Sequence, residues 1–417
     1  MYIRHLDTSI ANHFTTYKQA LILLGARQVG KTTILKRLFP QAYYLLLDNE
    51  NTKKVLETYD LNTYRSILGR YKQIILDELH LLSDPGRAVK IIYDQIPHIQ
   101  LIVTGSSSFH IKNKTGQSLA GRKIDYQLYP LTFSEYLVQT DVENTLNFQL
   151  LNQIISPSNN SHLFSPSEIL DQVLLFGLYP EMVALPQNRP YLKNLANSVV
   201  FQDLLELNLI DNKTKAKELL KLLAYQIGNL INYSELSNKL AIDQRTVKRY
   251  IDIFEDSFIL YRLYPYSKKS RGEIVKNPKI YFWDVGLRNA IIDNFDPIHL
   301  RPDGGALFEN FLITEIKKIL SYRNDSTTVH YWRTKSGSEV DLVLDYQHQL
   351  YACEIKLNKG TVSPAFVHRY PNASLRILTP KNFYWDQKAH RRWGGYFEKI
   401  EWTVSESWKP AEADWGA

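Results

Sequence analysis

A glycine-rich run near the start of the chain has the spacing of a phosphate-binding loop. Four residues separate Gly25 from Gly30, and Lys31 and Thr32 follow directly. Such a loop cradles phosphates with its N–H groups, while the lysine reaches the β- and γ-phosphates and the hydroxyl ligates Mg²⁺. An apolar run precedes it and a segment of helical composition follows, as the motif requires. We therefore predict an ATP and Mg²⁺ site, with nucleotide contacts from Gly25, Ala26, Arg27, Gln28, Val29, Gly30, Lys31, Thr32 and Thr33.

An acidic pair follows a second apolar run. We expect Asp77 to bind Mg²⁺ with Thr32, directly or through water, and Glu78 to orient and polarise the attacking water. The next apolar run ends at Thr104, with Ser106 close behind, so these hydroxyls should lie beside Asp77. Ser106 is our first choice for sensing the γ-phosphate or holding the water; the alternative is a plain turn. A glycine-rich turn with an unrelated acidic pair is the alternative to the whole site, and the order of the three features disfavours it.

Arg122 lies on a glycine turn, shortly after a polar stretch. An arginine there could act as an arginine finger on a neighbouring subunit's nucleotide, because such a group stabilises transition-state charge. The alternative is a surface arginine satisfied by Asp125.

Residues 233–254 have the pattern of helix, tight turn and helix, with Asp243 as a plausible N-cap of the second helix. An apolar run after it suggests a winged version of the helix-turn-helix. Such a surface could bind DNA phosphates, and the alternative is a protein-binding module with a solvated basic face. The side chains predicted to contact DNA are Gln244, Arg245, Lys248 and Arg249.

A set of carboxylates and one lysine occurs near the C-terminus. Glu309 lies on a predicted long helix, Asp341 at the start of a strand, and Glu354 and Lys356 on one side of the next strand. Oxygen ligands that hold Mg²⁺, with an ammonium beside them, suit metal-assisted phosphodiester hydrolysis. We therefore predict Glu309, Asp341 and Glu354 as metal ligands and Lys356 as a catalytic group. The alternative is a structural ion-pair cluster.

These residues require α/β architecture. Of 417 residues, 44% are apolar, which is enough to bury real cores and excludes a disordered chain. Apolar runs separated by helix-length segments predict a parallel sheet. The predicted parts are a P-loop NTPase domain (1–155), a helical and winged-helix region (166–300), a C-terminal α/β domain (301–406) and a loosely held tail (407–417).

Composition indicates a cytoplasmic protein that does not enter a membrane. The mean hydropathy is −0.29, no run is long enough to cross a bilayer, and the first residues lack the apolar stretch of a signal peptide. The one cysteine, Cys353, fits a reducing compartment, and its strand-like setting predicts a packed core thiol. The net charge of +7 permits a nucleic-acid partner without establishing one.

The chain resembles a widespread group of bacterial and archaeal AAA+-like ATPases. In these a P-loop domain precedes a module with winged-helix and PD-(D/E)xK nuclease-like parts, which implies an α/β restriction-endonuclease-like fold for residues 301–406. The motifs that carry the resemblance span nearly the full length and include Gly25–Thr33, Leu76–Glu78, Gly177–Glu181, Glu339–Asp341 and Glu354–Lys356. It implies ATP hydrolysis in a homo-oligomer, with a hexameric ring as one form, and DNA-related work. His80 departs from it, because many relatives carry glutamine there.

Two hypotheses from different classes follow. One is an ATP-driven DNA-binding motor or remodeller that acts on branched or duplex DNA, with a metal-dependent nuclease-like domain. The other is a nucleotide-dependent regulatory or scaffold ATPase whose C-terminal domains bind protein. A kinase that uses the same loop has no evident acceptor pocket in the sequence.

Overall fold

The computed structural model describes residues 2–105, 119–139, 166–198, 210–267, 277–324, 326–346, 349–358, 360–361 and 363–380. Ser106 and the tail 407–417 lie outside these residues. The chain forms two compact units. The first comprises the described residues up to 139, between 168 and 265, and between 277 and 327. The second comprises the described residues between 328 and 380, together with 166–167 and 266–267.

Five parallel strands form the main sheet of the first unit: β1 (Ala20–Leu24), β2 (Tyr43–Leu46), β3 (Gln73–Asp77), β4 (Gln100–Gly105) and β5 (Lys123–Gln127). Their order is β2-β3-β4-β1-β5, which confirms the predicted parallel sheet. Every residue of β1 is buried, as expected for a parallel strand covered on both faces. Strands β3, β4 and β1 are neighbours and run parallel. Their carboxyl ends therefore lie side by side at one edge of the sheet.

Short helices connect the strands, and several begin at a side-chain cap. The side chains of Asn49, Asp60 and Asp84 each accept at least one hydrogen bond from a backbone N–H of the helix that follows. These bonds satisfy donors that the first turn of a helix leaves unpaired. Two helices precede β1: α1 (Asp7–Ala11) and α2 (His13–Thr16). The helices between strands are α3 (Lys31–Leu38), α4 (Glu50–Leu56), α5 (Leu61–Leu68) and α6 (Pro85–Gln95), and α7 (Phe133–Gln139) follows β5.

The rest of the first unit is mainly helical. It contains α8 (Pro166–Phe176), α9 (Pro180–Ala184), α10 (Arg189–Asn197), α11 (Lys213–Tyr225), α12 (Tyr233–Leu240), α13 (Gln244–Asp256), β6 (Leu260–Leu263), β7 (Lys279–Phe282), α14 (Val285–Ile292) and α15 (Gly304–Arg323). Ala241 ends α12 in the left-handed conformation, and Asp243 accepts from two N–H groups of α13, so the predicted cap is confirmed. Strands β6 and β7 pair antiparallel.

A glycine in the left-handed region lets a buried carboxylate join two helices. The Asp284 carboxylate accepts from the N–H of Leu178 at 2.6 Å and, at the start of α14, from the N–H of Leu287 at 2.8 Å. Gly177 has φ +72°, and a Cβ there would lie 2.1 Å from Asp284 Oδ1. Only glycine therefore fits at the end of α8. Burial raises the pKa of Asp284.

Helix α15 belongs to the first compact unit, although its residues fall within the predicted C-terminal domain (301–406). Its Glu315 accepts from the N–H of Phe133 at 2.6 Å, and its Lys318 donates to the carbonyl of Leu131 at 3.0 Å. These contacts join α15 to the segment between β5 and α7. The division between the two compact units falls after Thr327, and the predicted domain boundary at residue 301 remains a prediction.

The second unit is a four-stranded mixed sheet. Its elements are β8 (Thr328–Arg333), β9 (Glu339–Tyr346), β10 (Gln349–Ile355), α16 (Pro364–Arg369) and β11 (Ser374–Leu378), with strand order β11-β10-β9-β8. Strands β10 and β11 are parallel and the other pairs antiparallel. Trp332, Val343 and Phe366 belong to its core. Cys353 on β10 is 2% exposed, and burial raises its pKa to about 12, which confirms the predicted core thiol.

Among the described residues, no helix is long and apolar enough to span a membrane.

Candidate functional site

The predicted phosphate-binding loop joins β1 to α3. A Cβ at Gly25 would lie 2.1 Å from the carbonyl oxygen of Leu128, so only glycine allows this close approach. Gly30, with φ +98°, leads into α3. Lys31 is 5% exposed, and its Nζ donates to the carbonyls of Gly25 at 3.0 Å and Ala26 at 2.9 Å. The ammonium thus lies over the loop, where phosphate would offer it charged acceptors in place of neutral ones.

Three hydroxyl groups converge on Asp77 at the end of β3. The Thr32 hydroxyl donates to Asp77 Oδ2 at 2.7 Å, and the hydroxyls of Tyr44 and Thr104 also donate to this carboxylate, which is 2% exposed. The hydroxyl of Thr32, next to the loop, therefore contacts the acidic end of β3. These oxygen donors suit Mg²⁺, so the residues present fit the implied metal.

Tyr44 was missed by sequence reasoning. It lies on β2 opposite Ile75, which shares a face of β3 with Asp77. Burial and the hydrogen bond to Asp77 raise the pKa of Tyr44, so its hydroxyl stays protonated and donates. The signal in the sequence was a tyrosine two residues before the end of a strand, which carries meaning only once the strand order is known.

Glu78 has an uncommon backbone conformation. Its φ of 60° and ψ of 46° place it in the left-handed region, where a residue other than glycine is strained unless its surroundings hold it. Its N–H donates to Thr104 Oγ1 at 3.1 Å, and its Oε2 lies 3.2 Å from Nδ1 of the buried His80. The Thr104 hydroxyl therefore contacts both residues. It donates a hydrogen bond to Asp77 and accepts one from the N–H of Glu78. Two hydroxyls were predicted at this strand end. Within the described part of the chain, Thr104 is the one that contacts the acidic pair.

The loop also contacts a helix that sequence reasoning did not connect with it. Gln28 has φ +61°, and its side-chain oxygen accepts from the hydroxyl of Tyr191 on α10 at 2.6 Å. Burial raises the pKa of Tyr191 to about 12, with Glu181 adding to the effect. No motif in the sequence pointed to this contact.

Arg122 forms an ion pair, but with a different partner from the one the sequence suggested. Its Nε lies 2.8 Å from Asp94 on α6, whereas Asp125 pairs with Lys123 at 2.7 Å. The alternative of Arg122 satisfied by Asp125 is therefore corrected, because the neighbouring lysine takes that carboxylate. The arginine-finger role remains a prediction.

The four residues predicted to contact DNA are exposed on α13. Two of them already contact other side chains. Gln244 donates a hydrogen bond to the Ser234 hydroxyl at 2.8 Å, and Arg249 forms an ion pair with Asp211. The ammonium of Lys248 lies 5.3 Å from the ring centre of Tyr233. A phosphate at Arg249 would have to compete with Asp211.

Strands β9 and β10 bring three of the four C-terminal candidates together. Nζ of Lys356 lies 2.7 Å from Asp341 Oδ2 and 2.9 Å from Glu354 Oε2. The N–H of Ile355 also donates to Asp341 at 2.9 Å. Burial, followed by the neighbouring Asp341, raises the pKa of Glu354 to about 7.

The structure gives Glu309 other partners. It lies on α15 in the first unit, where its Oε1 is 3.2 Å from Nζ of Lys279 and accepts from the Tyr281 hydroxyl. Lys279 is only 2% exposed, and a buried cation needs a counter-charge, which explains this pairing. Among the described residues, no three His, Cys, Asp or Glu side chains are grouped to hold a metal. Glu309 therefore has partners within the first unit, and the metal-binding role of Glu309, Asp341 and Glu354 remains a prediction.

Comparison with known proteins divides the chain into three matched parts. Residues 17–137 match the sequence model of a family described as "AAA domain". Residues 167–297 and 304–382 match two further families, each described as a domain of unknown function (DUF8612 and DUF4143).

Curated relatives cover most of the chain. An uncharacterized protein of Methanocaldococcus jannaschii is 26% identical over 367 residues, which is 82% of this chain and 76% of that protein. An uncharacterized protein of Mycobacterium tuberculosis is 23% identical over 363 residues, or 85% of this chain and 74% of the relative.

Solved structures are similar at lower identity. A Walker-type ATPase of Pyrococcus abyssi has 15% identity and a TM-score of 0.46, and the match covers 70% of this chain and 96% of that one. AMPPCP-bound DnaA from Aquifex aeolicus has 14% identity and a TM-score of 0.27, over 60% of this chain and 86% of the other.

The parallel sheet, the loop between β1 and α3, and the acidic end of β3 define a P-loop nucleotide-binding fold. The match to the AAA domain model falls on the same part of the chain, so residues 17–137 are similar to the AAA-type P-loop domains.

Proposed function

We propose that this protein binds ATP with Mg²⁺, hydrolyses it, and uses the nucleotide cycle to act on DNA. The observation that carries the ATPase proposal is the hydrogen bond from Thr32 to Asp77, with Glu78 directly beside it. It joins the phosphate-binding loop to the acidic strand end, which are the two halves of a P-loop NTPase site.

Each residue has a distinct role in this proposal. Lys31 moves from the loop carbonyls to the β- and γ-phosphates, and Thr32 and Asp77 hold Mg²⁺. The metal would neutralise charge that develops on the phosphates. Glu78 orients the attacking water and accepts its proton, while Thr104 keeps Asp77 and Glu78 in place.

Two variants test the ATPase proposal. Lys31→Ala should abolish measurable ATP turnover, because it removes the cation that faces the phosphates. Glu78→Gln should leave ATP bound but unhydrolysed, because Thr32 and Asp77 remain while the water loses its base. Turnover and nucleotide binding are measured on the same preparations. Near wild-type turnover in either variant would reject the site.

The DNA part of the proposal rests on α13 and on the chain's net charge of +7. Arg245 and Lys248 are exposed on one helix, and Arg249 can exchange Asp211 for a phosphate. We also propose that the protein works as a homo-oligomer, in which Arg122 would leave Asp94 and reach a neighbour's nucleotide. The competing proposal is a scaffold ATPase that uses the same helical surface to bind protein.

A second candidate function, metal-dependent phosphodiester cleavage, is favoured by the contact of Lys356 with both Asp341 and Glu354. In this proposal the two carboxylates hold Mg²⁺ or Mn²⁺, and the ammonium stabilises the charge that develops on the phosphate. Asp341→Ala should abolish cleavage of duplex, branched or single-stranded DNA while ATP turnover continues. If neither wild type nor variant cleaves any of these with either metal, the second unit is a binding module.

A further inference from the structure

A buried arginine near the N-terminus holds the carbonyl side of the phosphate-binding loop. Arg4 is 6% exposed. Its Nη1 donates to the carbonyl of Val29 at 2.9 Å, and its Nη2 donates to the carbonyl of Tyr129 at 2.7 Å. Val29 is the loop residue before Gly30, and Tyr129 follows β5. One guanidinium group therefore ties the loop to the segment beyond the neighbouring strand.

The contact with the carbonyl of Val29 also fixes the direction of the N–H of Gly30. The C=O of Val29 and the N–H of Gly30 belong to one planar trans peptide group and point in opposite directions. A donor that holds the oxygen on one side therefore directs the N–H toward the other side. In a loop of this kind the N–H groups bind phosphate oxygens, and their direction decides how well they do so.

Arg4 is itself held firmly. Its Nε lies 3.1 Å from Glu135 on α7, and the side chain of Glu135 is only 3% exposed. Its N–H donates to Asp7 Oδ2 at 3.0 Å, and the other oxygen of Asp7 pairs with Arg37 on α3 at 2.6 Å. The N-terminal segment thus contacts the loop through Val29 and the helix after the loop through Arg37.

We propose that Arg4 is a positioning residue of the nucleotide site, which holds the peptide between Val29 and Gly30 in the orientation that binds phosphate. This inference rests on the proposed ATP binding. It assigns to the N-terminal segment a part in nucleotide affinity that the loop motif does not contain. A planar guanidinium suits the role, because its donors in a fixed fork reach two carbonyls and a carboxylate at once.

The test separates the carbonyl contacts of Arg4 from its ion pair. Glu135→Gln removes the buried carboxylate's charge but leaves the donors of Arg4, and it serves as the reference. Arg4→Met with Glu135→Gln removes the guanidinium without leaving a buried charge unpaired. Affinity for fluorescent ATP and ADP analogues with Mg²⁺, the KM and kcat of ATP hydrolysis, and the melting temperature without nucleotide are measured for both.

Relative to the reference, we expect the double variant to bind nucleotide about ten- to a hundredfold more weakly, the range for a hydrogen bond to a charged group. KM should rise by the same factor with a smaller change in kcat, because the loop N–H groups bind phosphate before and during the reaction. Arg4→Lys should bind nucleotide with intermediate affinity, since one ammonium cannot replace the fork.

Equal affinity and equal KM in the reference and the double variant would overturn the inference. A lower melting temperature and kcat with unchanged KM would also overturn it, because that is the result of a merely structural role. If the double variant does not fold, Arg4→Lys decides: wild-type affinity contradicts the inference and weaker binding supports it. A wild-type protein that binds no ATP would instead reject the proposed function.

Discussion

Thr104 has two functions at the residue scale, because it both donates and accepts a hydrogen bond. Its hydroxyl donates to Asp77 and accepts from the N–H of Glu78. A sequence motif shows only that a threonine ends this strand. The residues of the loop, the acidic pair and the importance of this strand end could be predicted, because each has a fixed place in the order of the chain. Tyr44, Tyr191 and Arg4 could not, since their roles depend on tertiary contacts between segments far apart in sequence.

We predict that Thr104→Val lowers kcat for ATP by about ten- to a hundredfold, because it removes a hydrogen bond to the Asp77 carboxylate and leaves the Glu78 N–H without its acceptor. Valine keeps the branched shape, so the strand should stay packed. Nucleotide affinity should change little, since the loop is intact. Thr104→Ser keeps the hydroxyl and should retain most of the turnover. Equal kcat in the valine and serine variants would contradict the role.

Glu354 should make the stability of the second unit depend on pH. Burial raises its pKa from 4.5 to about 7, so between these values the native state binds more protons than the unfolded state. The free energy of unfolding should therefore fall as the pH rises through this range in the presence of EDTA. Hydrogen exchange of peptides from β9 and β10 measures it. Glu354→Gln should flatten the profile, and the same slope in both proteins would refute the assignment.

At the scale of the element, α13 begins at a side-chain cap that was predicted and carries an ion pair that was not. Asp243 begins the helix as the sequence indicated, because a side-chain cap is a local feature. The ion pair between Arg249 and Asp211 was not foreseen, because Asp211 precedes α11 and comes near only through the packing of the helices.

Replacing Arg245, Lys248 and Arg249 together by Ala should weaken DNA binding and flatten its salt dependence. For each phosphate that a variant no longer neutralises, the slope of log K against log[salt] on duplex DNA should become shallower by about 0.9. The control replaces Lys213, Lys217 and Lys221 on α11 by Ala, which makes the same change in net charge. If the slope flattens equally in both triple variants, the effect comes from overall charge and α13 is not the DNA surface.

Asp211→Asn provides a test in the opposite direction. It frees Arg249 from its carboxylate partner and removes a negative charge, so DNA should bind more tightly and with a steeper salt slope. Weaker binding or an unchanged slope would indicate that Arg249 does not reach DNA.

At the scale of the whole molecule, the sequence predicted the strands better than the contacts between distant elements. The parallel sheet of the first unit and the strands that carry Asp341 and Glu354 could be predicted, because each of these strands is a short apolar run. The packing of α15 against the segment after β5 was not predicted, because it depends on hydrogen bonds made by Glu315 and Lys318. Tertiary hydrogen bonds of this kind leave no periodic pattern.

The choice between DNA-acting machine and protein scaffold is also a property of the whole chain. If the nucleotide cycle drives work on DNA, at least one of duplex, branched or single-stranded DNA should raise ATP turnover. The α13 triple variant should lose this stimulation while its basal turnover remains. No stimulation by any DNA, together with no salt-sensitive binding, would favour the scaffold.

The solitary cysteine gives this molecule a selective chemical reporter. The chain has one thiol, it lies on β10 with 2% of its surface accessible, and its raised pKa keeps it in the unreactive neutral form. A thiol-modifying reagent can therefore react at an appreciable rate only during rare openings that expose β10. The ratio of that rate to the rate in denaturant measures the free energy of opening of the second unit under native conditions. Because the first unit has no cysteine, its own fluctuations are silent to the reagent, and the effect of nucleotide or DNA on one unit can be read without dissecting the chain.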